Sequence, residues 1–271
     1  MKEQHDFEAL EQIEFEATTD LFRAAPETVR SAHAIEVQQI GPATCMTSRD
    51  IDPAAIFRRA VGLGVRQPAT ADDLDAVARH MSARARKYAL PVAPQTRPPE
   101  LASWLEKRGF TRGYAWMKFR RPCHGAPAVT CDLDIRVVGP DLSGEFGRIV
   151  TEGFEMPAST APWIAALVER KRWVCVMAFA GDAPVAAGAL YVNGDYAWLG
   201  LGATLPSHRR HGAQNALLVR RLNEAVARGA RVAVTETGER LPDKPDNSYR
   251  NILRVGFQET YVRQNYLWTA K

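Results

Sequence analysis

The densest run of chemistry-bearing residues in the chain is Ser207-His208-Arg209-Arg210-His211-Gly212-Ala213-Gln214. It follows the apolar, glycine-containing stretch Trp198 to Leu205 and leads into a segment with Leu218, Leu222 and Val226 in helical register. Such a run is suited to binding an anion. The first N–H groups of a helix have no intrahelical acceptors and point in one direction, and the macrodipole adds about half a positive charge at that end. Arg209 and Arg210 contribute full charges, and Gly212 lets the backbone come close to a ligand. The same residues also fit a solvated loop before an ordinary helix cap, and spacing alone leaves both readings open.

The other reactive side chains are more scattered. Cys45, Cys123, Cys131 and Cys175 form no C-x-x-C pair. Cys123 and Cys131, with His124 between them, lack the second pair that would complete a metal site, so the four read as reduced thiols and no metal is expected. Reduced thiols point to the cytosol. The chain opens Met1-Lys2-Glu3-Gln4-His5-Asp6, with acidic residues throughout its first segment and no apolar core, which reads as neither a signal nor a transit peptide.

Bulk properties narrow the class further. In 271 residues with a formal net charge of +4 there is too little basic excess to argue for nucleic acid. Arg209, Arg210, Arg220, Arg221 and Arg228 lie close to Glu224 and read as a solvated face. No apolar stretch reaches the length of a membrane span.

Several elements must position the basic loop. Strands are expected at Trp173–Ala180, Val185–Val192 and Tyr196–Ala203, with Asn193-Gly194-Asp195 as a hairpin turn. A helix follows from Ala213 to Arg228, then a strand at Val232–Thr235, a short helix at Asn247–Val255 and a strand at Phe257–Trp268. Upstream, helical spacing covers residues 6–25, strands are expected at Ala34–Ile40 and Thr44–Thr47, and Thr70 caps a helix reaching about Lys87. A further helix begins at Pro98-Pro99 and stops at Gly109, before the strand Tyr114–Phe119. Residues 120–132 hold two prolines, a glycine and no periodicity, and read as a linker. Leu105-Glu106-Lys107-Arg108-Gly109-Phe110 is echoed by Leu253-Arg254-Val255-Gly256-Phe257, about one domain length further on, which supports a duplication.

Pro206 to Gln214, spelling P-S-H-R-R-H-G-A-Q, resembles the pyrophosphate-binding motif of the GNAT superfamily of acyl-CoA N-acyltransferases, [QR]-x-x-G-x-[GA]. Arg209 matches the first position and Gly212 the glycine, whereas Gln214 stands where a small residue is usual. The flanks agree: Gly200-Leu201-Gly202-Ala203-Thr204-Leu205-Pro206 before the loop, and Asn247 to Phe257 near the end. The resemblance covers residues 133–271 and extends only faintly to 34–121. It implies an α/β (α+β) fold of two GNAT-like domains, each a central, mostly antiparallel mixed sheet flanked by helices. The first would span 1–122 without a cofactor loop, the linker 123–132, and the catalytic domain 133–271.

The resemblance further implies acetyl-CoA as co-substrate and direct transfer to the amine of a small molecule, amino acid or peptide. Gly202, Ala203 and Thr204 would hold the acyl-pantetheine arm by strand-like hydrogen bonds. The amides of Arg209, Arg210, His211, Gly212, Ala213 and Gln214 would bind the pyrophosphate, with Asn215 and Ser248 joining the cofactor set. A base must take the amine proton and an acid must protonate the departing sulfur. Glu236 and Glu239 are the candidate bases, or close a loop with Arg240. Many family members place the acid four residues before the Gly-Phe pair, which here is Ile252. Tyr249, one turn earlier on the same face, is either the substitute acid or a packing residue. Non-catalytic acyl-CoA binding is the alternative function.

Overall fold

Phe7, Leu10, Ile13, Ala17 and Leu21 recur at helical spacing and form the buried stripe of α1 (Lys2–Arg23). The structure, a computed structural model, describes residues 2–49, 51, 54–243 and 245–270. Met1 and Lys271, the outer limits of the expected domains, lie outside the described residues. The chain groups into two units, one comprising the residues up to Arg23, Glu27–Met117 and the stretch from Tyr261 onward, the other Ala24–Pro26 and Lys118–Thr260.

In the first unit α1 is followed by α2 (Glu27–His33), β1 (Glu36–Ile40), β2 (Ala43–Thr47), α3 (Ala54–Phe57), β3 (Arg59–Val61), α4 (Ala71–Ser82), β4 (Lys87–Val92), α5 (Leu101–Lys107) and β5 (Thr111–Pro122). The helix expected to reach Lys87 ends at Ser82, and Lys87 instead opens β4. Strand order is β1-β2-β3-β4-β11-β5, where β11 (Gln258–Thr269) is the last strand of the chain. It runs antiparallel to β4 from Gln264 opposite Val92 to Thr269 opposite Lys87. Leu74, Val77 and Met81 of α4 pack on Cys45, Tyr88, Leu90 and Phe110. Beneath α1, Glu11 and Glu14 are buried against Arg263, with Arg59 also on Glu14.

The second unit is built from β6 (Asp134–Val137), α6 (Ser143–Gly153), α7 (Ala161–Ala165), β7 (Trp173–Ala180), β8 (Ala183–Asn193), β9 (Tyr196–Thr204), α8 (Ala213–Ala227), β10 (Val232–Gly238) and α9 (Asn247–Arg254). Its strand order is β6-β7-β8-β9-β10-β5. Strands β6 to β9 pair antiparallel, and β10 runs parallel to β9. Helices α6 and α8 both pack on β8 and β9. A Cβ added at Gly153 of α6 would meet Ala203, while one added at Gly202 would meet Gln214 of α8. Successive strand residues point to opposite faces, so the two helices cover the two faces of the sheet.

The units divide the chain differently from the expected limits. Strand β11, expected whole in the second half, belongs from Tyr261 onward to the first unit, where it fills the position between β4 and β5. Strand β5 changes unit in the same way at Met117 and Lys118, and continues into the stretch read as linker as far as Pro122.

Candidate active site

Strands β9 and β10 pair at only three registers, Tyr196 with Val232, Ala197 with Ala233 and Trp198 with Val234. Beyond them the Thr235 hydroxyl donates to the Leu199 carbonyl at 2.8 Å. The two strands therefore part after Trp198, and among the described residues the edge of β9 from Leu201 to Thr204 has no strand partner on the β10 side. On its other side β9 stays paired with β8 but loses register between Ala187 and Ala189. Leu201 sits in this bulge at φ +53°, a left-handed conformation uncommon for a side-chain-bearing residue. Gly200 lies under the Trp198 ring, where a Cβ would clash, and Gly202 faces Gln214.

Strand β9 runs into the basic loop, and Gly212 turns it into α8 at φ +80°. Among the described residues no side chain caps this helix, leaving the amides of Ala213, Gln214 and Asn215 without intrahelical acceptors. Arg209, Arg210, His211 and Gly212 are exposed. The Arg209 guanidinium donates to the Thr204 carbonyl at 3.4 Å, and neither arginine pairs with a carboxylate among the described residues. The Gln214 side chain is directed away from the helix tip, donating to the Thr204 hydroxyl at 2.7 Å. The Asn215 Oδ1 atom is buried without a hydrogen-bond partner. An uncapped positive helix end, two unneutralised arginines and an orphaned acceptor fit a phosphorylated, hydrogen-bonding ligand such as CoA.

The corresponding helix of the first unit is closed. Thr70 caps α4 by accepting from the Asp73 amide, and the Asp73 carboxylate accepts from the Thr70 amide. Asp72 and Asp73 supply the negative charge there.

Around the parted strands the side chains form two clusters. Glu236 on β10 accepts from Trp198 Nε1 at 3.1 Å and pairs with the buried Lys118 ammonium at 3.3 Å. Tyr249 on α9 is buried edge-on against Phe119, with the Arg240 guanidinium over its ring, and its hydroxyl donates to Glu259 at 2.7 Å. Burial and then the Glu259 carboxylate push the phenol up to about 12, so it stays protonated at neutral pH. Ile252 is buried in the same helix and Ser248 is exposed in its first turn. Arg240 pairs with Asp246. His208 is half-buried and bonded to Ser207, and His211 is exposed.

The sequence reading missed Lys118 and Arg221. Arg221, read as part of a solvated face, is wholly buried and bonded to three main-chain carbonyls, whereas Arg220 and Arg228 do lie at the surface with Glu224. Its position in the stripe Leu218, Leu222 and Ala225 was the available signal, since residues three and four apart share a helix face. Among the described residues no group of three or more His, Cys, Asp or Glu is arranged to hold a metal, and no helix is long and apolar enough to cross a membrane.

Residues 156–236 match the sequence model of the acetyltransferase (GNAT) domain. No curated protein sequence matches the chain. Among solved structures the chain is similar to a GCN5-related N-acetyltransferase from Kribbella flavida, with a TM-score of 0.63 and 18% identity over 94% of this chain and 96% of that one. A GCN5-related N-acetyltransferase from Sphaerobacter thermophilus gives 0.61 and 13% over 86% and 82%. A tandem GNAT protein from the clavulanic acid biosynthesis pathway gives 0.59 and 16% over 99% and 95%. The domain match is confined to residues 156–236, and the solved structures share the fold of the chain.

Proposed function

We propose that the protein is an N-acyltransferase that moves an acetyl group from acetyl-CoA to the primary amine of a small molecule, amino acid or peptide. The observation that carries this reading is the opening between β9 and β10 beyond Trp198 and Val234, adjoining the uncapped start of α8. Acyl-CoA, when bound, supplies an activated thioester carbonyl. The amides of Ala213, Gln214 and Asn215 with Arg209, Arg210, His211 and Gly212 bind its pyrophosphate. Gly202, Ala203 and Thr204 orient the acyl-bearing arm along the open strand edge, and Ser248 is the outlying member of the set. Glu236 receives the amine proton, and Tyr249 gives its proton to the departing sulfur after leaving Glu259. The first unit, with its self-capped α4, acts as a non-catalytic partner that holds no cofactor.

A second reading, acyl-CoA binding without turnover, draws on the engagement of both proton-moving candidates, Glu236 with Lys118 and Tyr249 with Glu259. Incubation with acetyl-CoA and a panel of amines separates the two. Release of CoA thiol matched by N-acetylated product is the expected result. CoA binding without product favours the second reading, and absence of both overturns the site assignment.

A further inference from the structure

Arg221 is a buried cation without a carboxylate partner among the described residues. Burial lowers its pKa to about 10, so it remains charged at neutral pH. A desolvated charge is costly unless its hydrogen bonds are met, and here main-chain oxygens meet them. Nε donates to the Leu217 carbonyl at 3.0 Å, and one terminal nitrogen donates to Ala189 at 3.1 Å and to Gly200 at 2.9 Å. Ala189 and Gly200 face each other across β8 and β9 where the two strands lose register. The guanidinium thus takes up carbonyls at the bulge itself. The strands make room for it: a Cβ on Gly188 would lie 2.8 Å from the guanidinium carbon.

Leu201 and Gly202, the next residues, begin the open edge of β9. Arg221 stands on α8, whose first turn carries the anion cradle, so one side chain joins the cradle helix to the bulged strand. A planar guanidinium can bridge carbonyls from a helix and two strands, which a single ammonium point cannot reproduce. We propose that Arg221 is a positioning residue for acyl transfer, holding the Gly200–Gly202 backbone at the height and angle the acyl group requires. Its catalytic readout rests on the acyltransferase reading above.

The test compares full-length Arg221→Met, Arg221→Lys and Gly188→Ala with a core control, Val176→Ala. Arg221→Met should lower kcat about 10²-fold with the Kd for CoA changed less than about threefold, because alignment is lost while the cradle stays. Arg221→Lys should recover less than about tenfold of that loss, and Gly188→Ala should lower kcat by displacing the guanidinium. Val176→Ala should keep kcat within about threefold at a comparable loss of Tm. Amide exchange at Gly200–Gly202 should quicken in the Arg221 variants and not along β7. Unchanged kcat with unchanged exchange in folded Arg221→Met overturns the proposal, as does an equal kcat loss in Val176→Ala. If Arg221→Met does not fold, full activity in Gly188→Ala overturns it. A wild type that neither binds CoA nor transfers acetyl contradicts the acyltransferase reading instead, and exchange at Gly200–Gly202 still decides whether Arg221 pins the bulge.

Discussion

Trp198 stands opposite Val234 in the last register that pairs β9 with β10, and from there the strands part beside Glu236. Two residues along the strand from Val234, Glu236 is tied back to Trp198 and to Lys118 on β5. The opening is thus bordered by an ion pair whose side chains are 1% and 10% exposed for Lys118 and Glu236.

Removing one member of that pair leaves the other charged and desolvated. Lys118→Met should cost about 3–5 kcal/mol of stability, and adding Glu236→Gln should recover a large part of it. Glu236→Gln alone should lower kcat about 10²-fold with little change in CoA affinity, if Glu236 takes the amine proton. Chemical denaturation of the cycle reads the first effect and steady-state kinetics the second. Full kcat in folded Glu236→Gln would remove it from the proton path.

Tyr249→Phe should lower kcat about 10²-fold while leaving the KM for acetyl-CoA nearly unchanged. Glu259→Gln weakens the acceptor that now holds the phenol, so it should cost less than about threefold. Equal losses in the two variants would assign the pair a structural role.

Alkaline pH should destabilise the fold through the buried thiols of Cys45 and Cys175 and the half-buried thiol of Cys123. Burial pushes Cys45 from 9.0 up to about 12 and Cys123 up to about 11, and raises Cys175 in the same direction. Above pH 9.0 the unfolded chain releases these protons while the native state keeps them, so native stability declines as pH rises toward the native values. Tm should be flat from about pH 7 to 8.5 and fall beyond it, and Cys45→Ala should flatten part of the fall. A Tm independent of pH up to about 10.5 contradicts this.

Much of the second unit was legible because its signals are local. The hairpin at Asn193-Gly194, strands β7 to β9 and helix α8 follow from turn chemistry and periodicity, and each stands close to its expected limits. The middle of the first unit was not legible. Strand β3 has three residues, too few to show a period, and β4 carries Pro91, which ordinarily argues against a strand. The partner of β4 lies at the far end of the chain, in β11, and no local pattern announces that pairing. At the site, the basic loop and the helix after it were readable from local pattern, whereas spacing left open whether that helix end is capped. The role of Arg221 was hidden because charge alone suggested solvent, whereas a bulge formed by two strands supplies its carbonyls.

The central claim, that acyl-CoA is held at the start of α8 and nowhere else in the chain, is tested most directly by calorimetric titration with CoA. The account predicts one site per chain. Gly212→Asp puts a carboxylate and a strained left-handed backbone where the phosphates must sit, and should weaken binding by about 2 kcal/mol or more in a folded protein. Asp72→Ala, at the self-capped α4, should leave the single site intact. Unchanged affinity in folded Gly212→Asp, or two equivalent sites per chain, would contradict the account.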